Sequence, residues 1–285
     1  MFSIVIPTFN NINYLKICID SIKKNSKYNH EIILHVNDGS DGTLEYVRNN
    51  RYIHTYTREN VGLCTAVNLA AKKSSTNYII YAHDDMYFCP NWDISFKKEI
   101  DNTNGNLYLI SGTMVEAKSG HLQLDCGSDF SDFNEKKLLA EYNLINYYDF
   151  QGTTWCPQLI HKNTWNKVGG LSEEFNPGIG SDPDLNMKLW KYGVRIFKGV
   201  SKSRVYHFGS LTARKNKNVY RNNGKKTFLI KWKMTVEFFT KHYLRRGTIY
   251  YEPLKQPEKN VSYYLDYFLS KIKYSITKYF LWKKN

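Results

Sequence analysis

His83, Asp84 and Asp85 follow directly on Tyr78–Ala82, a run apolar enough to be buried on both faces. Two adjacent carboxylates at the end of a buried strand are costly unless something cationic accompanies them. Hard divalent cations take oxygen ligands of this kind. His207 offers an imidazole, a good ligand for manganese-like ions, after the strand-like Ser203–Tyr206 and before Phe208-Gly209-Ser210. Asp182 and Asp184 flank Pro183. The proline favours extended backbone at Asp182, and Asp184 then reads as the N-cap of a short helix, Leu185–Tyr192, closed by Gly193. Capping gives Asp184 a structural task and leaves Asp182 without one. A free, positioned carboxylate is a candidate general base.

The elements that would hold these groups alternate. Strands are expected at Ser3–Pro7, Glu31–Val36, Tyr52–Thr57, Tyr78–Ala82 and Leu107–Val115. Helices are expected at Tyr14–Asn25, Thr43–Arg48 and Val61–Lys73, each with apolar residues at helical spacing. Such alternation predicts an α/β fold, a mostly parallel, Rossmann-like sheet flanked by helices. Ligands bind beyond the carboxyl ends of strands in such sheets. Thr8-Phe9-Asn10, Asn37-Asp38-Gly39-Ser40 and His83-Asp84-Asp85 all fall there. Ser119–Asp149 reads as a long polar connection, and helix-like stretches return at Thr227–Tyr243 and Tyr263–Tyr279.

Composition narrows the class. Hydrophobic residues make up 42% of the 285, enough for a sizeable core. No window approaches the roughly 18 apolar residues of a membrane span, and the N-terminus lacks the basic region of a signal peptide. The scattered Cys18, Cys64, Cys89, Cys126 and Cys156 suit a reducing, cytoplasmic setting and buried thiols. The net charge of +14 is uneven: from Arg195 onward there are 22 Lys/Arg against 4 Asp/Glu. The division expected is 1–110 as a nucleotide-binding half, 111–214 as a catalytic half of the same domain, and 215–285 as a basic, mainly helical extension.

Taken in order, the motifs are Ser3-Ile4-Val5-Ile6-Pro7-Thr8-Phe9-Asn10, Asn37-Asp38-Gly39-Ser40-Asp41-Gly42-Thr43, Glu59-Asn60-Val61-Gly62 and His83-Asp84-Asp85. Trp155, Gly169-Gly170-Leu171, Ser181-Asp182-Pro183-Asp184 and His207-Phe208-Gly209-Ser210 come after them. Over residues 3 to 210 this resembles the family-two glycosyltransferases, inverting enzymes with the A-type nucleotide-sugar fold. The resemblance implies a nucleotide diphosphate sugar donor, a divalent cation (Mn2+ or Mg2+) and a glycan or lipid-linked acceptor, as in polysaccharide biosynthesis. It puts Pro7, Thr8 and Asn10 in the nucleotide pocket, Asp38 on the base, and Asn60 and Gly62 in the loop beneath. Asp85 would be a metal ligand, Asp84 would contact ribose or metal, and His207 would be a further ligand. Asp182 would be the catalytic base, and Thr154 and Trp155 would border the acceptor. Two positions depart from the family pattern. His83 replaces the first acid of the metal motif, and Ser181 replaces one of an acidic pair.

Other readings stand beside these. Asn-Asp-Gly favours a turn for conformational reasons alone, Gly62 could simply start a helix, and Trp155 could be core. UDP is the expected donor nucleotide because Asp38 suits a uracil imide, although thymine and guanine also offer a donor. Processive synthases of the family carry membrane spans and a Gln-any-any-Arg-Trp motif, so a non-processive enzyme is expected. A nucleotidyltransferase is one alternative, but its phosphate loop is rich in Gly and basic residues, unlike Thr8-Phe9-Asn10-Asn11. A non-catalytic nucleotide- or polyanion-binding protein is another. Nucleic acid is not expected, since the acidic loops would repel phosphates. The basic third would hold phosphates through Lys215, Lys217, Arg221, Lys225 and Lys226, lie on an anionic membrane through Tyr263–Lys284, or face solvent.

Overall fold

The computed structural model describes residues 1–152, 155–209 and 222–283. Its centre is a ten-stranded mixed sheet. The first four strands arise as the sequence predicts: β1 (Ser3–Phe9), β2 (Glu31–Asn37), β3 (Ile53–Thr57) and β4 (Tyr78–Tyr81), with α1 (Ile12–Asn25), α2 (Thr43–Asn49) and α3 (Leu63–Ala71) between them. β1 pairs in parallel with β2 and β4, and β2 with β3. The chain thus steps outward from β1 to β3, then returns to the other side of β1 for β4. That reversal is a topological switch point, where such sheets open a crevice. β4 leaves β1 after the Val5–Tyr81 pair. Pro7, which has no N–H to give, therefore lies where no neighbour on that side asks for one.

Beyond β4 the sheet departs from a simple parallel plan. β9 (Gln158–His161) inserts antiparallel between β4 and β6 (Tyr108–Glu116). β10 (Ile196–His207) runs parallel to β6, and β5 (Met86–Phe88) pairs antiparallel with β10 at the edge. Since β4 and β6 both oppose β9, six longer strands point the same way, with a two-residue strand at Leu122–Gln123 alongside β6. Their carboxyl ends, Phe9, Asn37, Thr57, Tyr81, Glu116 and His207, share one edge. The predicted Ser203–Tyr206 strand is only the end of β10. Its register slips between Val200 and Arg204, with Thr113 Oγ1 holding the Val200 carbonyl at 2.8 Å. Such a bulge re-aims the side chains beyond it, here His207.

A helix the sequence reading did not mark, α4 (Trp92–Asp101), buries Trp92 against Phe88 and Phe96 against Trp92. The connection at 119–149 holds β7 (Leu122–Gln123), α5 (Glu135–Glu141) and a second apolar cluster around Tyr14, Tyr206 and Phe208. β8 (Phe150–Gln151) closes onto β10. All five cysteines are buried and unpaired. α6 (Lys162–Val168) and α7 (Ser181–Tyr192) cover the sheet, and Gly193 ends α7 in the left-handed conformation, as predicted.

The expected Thr227–Tyr243 helix is broken. α8 (Gly224–Trp232) stops at Lys233, whose φ of 56° reverses the chain, and a short helical turn at Val236–Phe238 runs on as a π-helix through Tyr243. α9 (Val261–Trp282) is the last element. Among the described residues no helix is long and apolar enough to cross a membrane.

Candidate functional site

The loop after β4 brings three side chains together. His83, Asp85 and His207 each offer a ligand atom, all within 4.8 Å of one another. Asp85 comes from the turn between β4 and β5, and His207 from the end of β10, which β5 pairs. His207 Nε2 lies 3.3 Å from Asp85 Oδ1, and its Nδ1 lies 2.5 Å from Glu116 Oε1 at the end of β6. Among the described residues the buried Nε2 finds no well-aligned hydrogen-bond partner. A buried imidazole nitrogen in that position, beside a carboxylate and a second histidine, is part of a donor set that suits a divalent transition metal. His83 faces the cluster rather than away from it, with Nε2 2.9 Å from the Tyr81 hydroxyl.

The charges of these buried groups act strongly on one another. Burial works against the His207 charge, but Asp85 and Glu116 raise its pKa to about 10. The resulting imidazolium, more than His83, holds Asp85 below the usual carboxylate range despite burial. His83 is pushed down to about 4 by burial and is neutral. Asp84 is driven up by burial and then by the Asp85 charge, while Thr8 and Asn11 offset part of the cost. One imidazolium thus supplies the positive charge that the buried acids need.

At the switch point, Asn10 and Asp38 hold each other. Asn10 Nδ2 donates to Asp38 Oδ2 at 2.9 Å, and the Gly39 N–H donates to Asn10 Oδ1 at 2.9 Å. Both residues have positive φ, 46° and 62°, a conformation that Asn and Asp tolerate better than most. The Asp38 carboxyl, lowered by Asn10 and Ser40, is ionised and can accept an N–H. It does close a turn, accepting from the Ser40 N–H at 3.2 Å, but its other oxygen faces Asn10. Asn60 Oδ1 takes the Gly62 N–H at 2.9 Å. Gly62 does start α3, and with φ 82° its backbone lies so close to Asn176 that a Cβ would meet that side chain at 2.5 Å.

Asp182 corrects one expectation. α7 begins at Ser181 after left-handed Gly180, so Asp182 is helical rather than extended, and Asp184 caps nothing. Pro183 is accommodated because first-turn N–H groups have no helical acceptor. Asp184 is fully buried instead, bonded to Ser172 at 2.6 Å, Trp232 Nε1 at 2.8 Å and Lys231 at 2.9 Å. It ties α8 to the first turn of α7. We expect Asp184→Ala to lower stability by about 2–3 kcal/mol, read as a drop in Tm with the pH profile of any activity unchanged.

The Asp182 carboxyl itself is raised to about 7 by burial, against a weak pull from Gln158 Nε2 at 3.5 Å. Both Asp182 and Asp85 act electrostatically on the buried Cys156 thiol, which bonds to Tyr81. Tyr81 in turn contacts His83. Trp155 is no core residue: its ring is 38% exposed, 5.0 Å from His121 and 6.0 Å from the Arg246 guanidinium. Thr154, Lys215, Lys217 and Arg221 lie outside the described residues.

Two partners escaped the sequence reading. Glu116 is 91 positions from His207 and ends a strand of otherwise uncharged residues, which was its only signal. Gln158 sits on the unforeseen β9.

Comparison with known proteins agrees with this architecture. Solved structures of similar shape include S. aureus TarS residues 1–349 in complex with UDP-GlcNAc (TM-score 0.54, 15% identity, covering 73% of this chain and 60% of that one). GalNAc-T7 with UDP, GalNAc and Mn2+ gives a TM-score of 0.56 at 17% identity, covering 79% and 44%. At these identities the likeness is one of fold. An uncharacterized glycosyltransferase of Rickettsia typhi is 33% identical over 215 residues, 72% of this chain and 64% of its own length. The chondroitin synthase of Pasteurella multocida is 26% identical over 233 residues, 78% of this chain but 22% of the synthase. The chain therefore spans about 64% of the length of the Rickettsia relative it matches. Residues 3–155, more than half the chain, match the profile of Glycosyl transferase family 2, and with the A-type fold around that stretch the protein belongs to this family.

Proposed function

We propose that this chain is a metal-dependent, inverting glycosyltransferase. It moves one sugar per encounter from a nucleotide diphosphate sugar, UDP-linked, to a hydroxyl of a glycan or lipid-linked acceptor. The observation that carries the reading is the pairing of a histidine–carboxylate cluster with a buried carboxylate raised to about 7, the charges of both acting on the Cys156 thiol. The choice of UDP is supported by the ionised Asp38 and by the UDP and UDP-GlcNAc held by the TarS structures of like fold.

Asp85 and His207, with His83 alongside, would hold Mn2+ or Mg2+. Such an ion, when bound, neutralises diphosphate charge as a Lewis acid. Asp38 accepts the base N–H, with Pro7, Thr8 and Asn10 lining the floor, Asn60 and Gly62 shaping the loop, and Asp84 reaching the ribose. Trp155 stacks on the acceptor sugar, with Thr154 beside it. Asp182 takes the proton of the acceptor hydroxyl as its oxygen attacks the anomeric carbon from the face opposite the diphosphate. The carbon–diphosphate bond breaks as the new bond forms, so configuration inverts. Residues 1–110 would serve the donor, 111–214 the acceptor, and 215–285 a negatively charged partner, in a cytoplasmic setting.

Behind the cluster, Glu116 fixes His207 through Nδ1, as carboxylates do behind metal-binding imidazoles. Glu116→Gln is expected to weaken Mn2+ binding by about 10–100-fold, measured by calorimetric titration of the purified protein. Wild-type affinity in that variant would remove His207 from the ligand set.

The reading as a whole is tested by a thermal-shift and hydrolysis screen of nucleotide sugars with and without Mn2+. The expected result is a rise in Tm and slow release of UDP for one UDP-sugar, only with metal. No response to any donor in the presence of metal would overturn the assignment.

A further inference from the structure

α9 has two unlike faces. One is docked: Tyr263 and Ser270 are buried, Phe238 packs on the Tyr263 and Tyr267 rings at 5.2 and 5.7 Å, and Ser270 Oγ accepts the Thr235 N–H at 2.8 Å. Asp266, the helix's single acid, is spent on Lys241 at 2.6 Å and His242 at 2.8 Å. On the opposite face Leu265, Phe268, Leu269, Ile272, Ile276 and Phe280 are all exposed, the first three at 61–63%. Trp282, 76% exposed, lies toward one edge of this stripe.

At 100° per residue these side chains, with Val261, Tyr264 and Tyr279, span an arc of about 160°. That arc is wider than the two-position seam of a coiled coil. Lys271 and Lys273 fall at its two boundaries, with Lys278 and Lys283 further along. The Lys271 ammonium turns back to the docked side, donating to the Lys233 carbonyl at 3.1 Å beside the Tyr267 ring, whereas lysine stems such as those of Lys273 and Lys278 can cover apolar surface while their charges reach out. Between α8 and α9 a cavity of about 330 Å³ is lined by Lys225, Lys226 and Lys273 against one acid, Glu237.

The geometry points to α9 as an interfacial anchor that lays its apolar stripe into the surface of an anionic phospholipid bilayer, with its lysines at headgroup level. Broad aromatic–aliphatic stripes with basic borders suit that environment. A second copy of the chain fits less well, because stripe-to-stripe pairing would set the same lysines against each other. The helix lies on the bilayer and does not cross it, since its other face is committed to the protein. The inference is independent of the transfer chemistry proposed above.

The test is flotation of the whole chain with vesicles of phosphatidylcholine alone and with about 30% phosphatidylglycerol added. Binding to the anionic vesicles only is expected, falling steeply at about 0.5 M salt. Leu265→Glu with Phe268→Glu and Ile272→Glu should abolish it. Lys273→Gln with Lys278→Gln should weaken it by roughly fivefold per lysine, leaving the apolar stripe intact. Because Leu265, Phe268 and Ile272 lie outside the docked face, the circular dichroism, Tm and nucleotide-sugar binding of the apolar-stripe variant should match wild type, which separates a failure here from a failure of the proposed activity. No preference for anionic vesicles, or binding untouched by either set of changes, would overturn the inference. So would a concentration-dependent dimer that the apolar changes disperse while vesicles stay unbound.

Discussion

Asp182→Asn is expected to lower kcat by about 10³-fold, within the roughly 10²–10⁴ that a positioned proton acceptor contributes. Donor KM should stay within about twofold if, as proposed, Asp182 serves the acceptor and not the nucleotide. Asparagine keeps the shape and can still meet Gln158, so the loss isolates the proton-accepting role. The wild-type pH profile carries an independent signature. Burial raises the Asp182 carboxyl to about 7, and only the ionised form accepts a proton. With metal saturating, kcat/KM should therefore rise with pH through about 7 and level off above it. The residual rate of the variant should lack that limb. Activity within about tenfold of wild type in Asp182→Asn would assign the base elsewhere.

The second large effect concerns Asp85. Asp85→Ala removes the carboxylate that faces His207 at 3.3 Å and should abolish the Mn2+-dependent thermal shift. The expected cost in kcat/KM is about 10²–10⁴-fold, equivalent to several kcal/mol of lost charge stabilisation on the diphosphate. The fold should survive. Asp84 sits beside Asp85, and each carboxylate opposes the other's ionisation, so deleting one relieves repulsion. His207 still keeps Glu116 on its Nδ1. An Asp85→Ala protein with normal metal response and rate would show that the cluster is a structural ion pair. A protein that fails to fold would instead be met by Asp85→Asn, which preserves volume and tests the same loss of charge.

Much of this was legible in one dimension, and the reasons differ by residue. β1 to β4 and α1 to α3 announced themselves because apolar spacing and turn residues agree with one another locally. The ends of those strands carry Asn10, Asp38 and Asp85, so strand prediction and site prediction were one inference. Asp184 misled because an acid after a proline looks like a cap. The actual start of α7 depends on Gly180, whose φ of 91° turns the chain four residues earlier. Thr227–Tyr243 misled for a similar reason, since nothing local marks Lys233 as the residue that reverses the chain.

The sequence by itself determined the parallel half of the sheet, the polar carboxyl edge and the position of His83-Asp84-Asp85 on it. Those properties are set by nearest neighbours and by periods of two and 3.6 residues, which a short window contains. Tertiary structure alone decided that Glu116 stands behind His207, that His83 turns inward, that β9 brings Gln158 to Asp182, and that α9 leaves its apolar face uncovered. Those facts depend on which strand lies beside which, and the side-chain pattern of a strand specifies a face but not the neighbour across it.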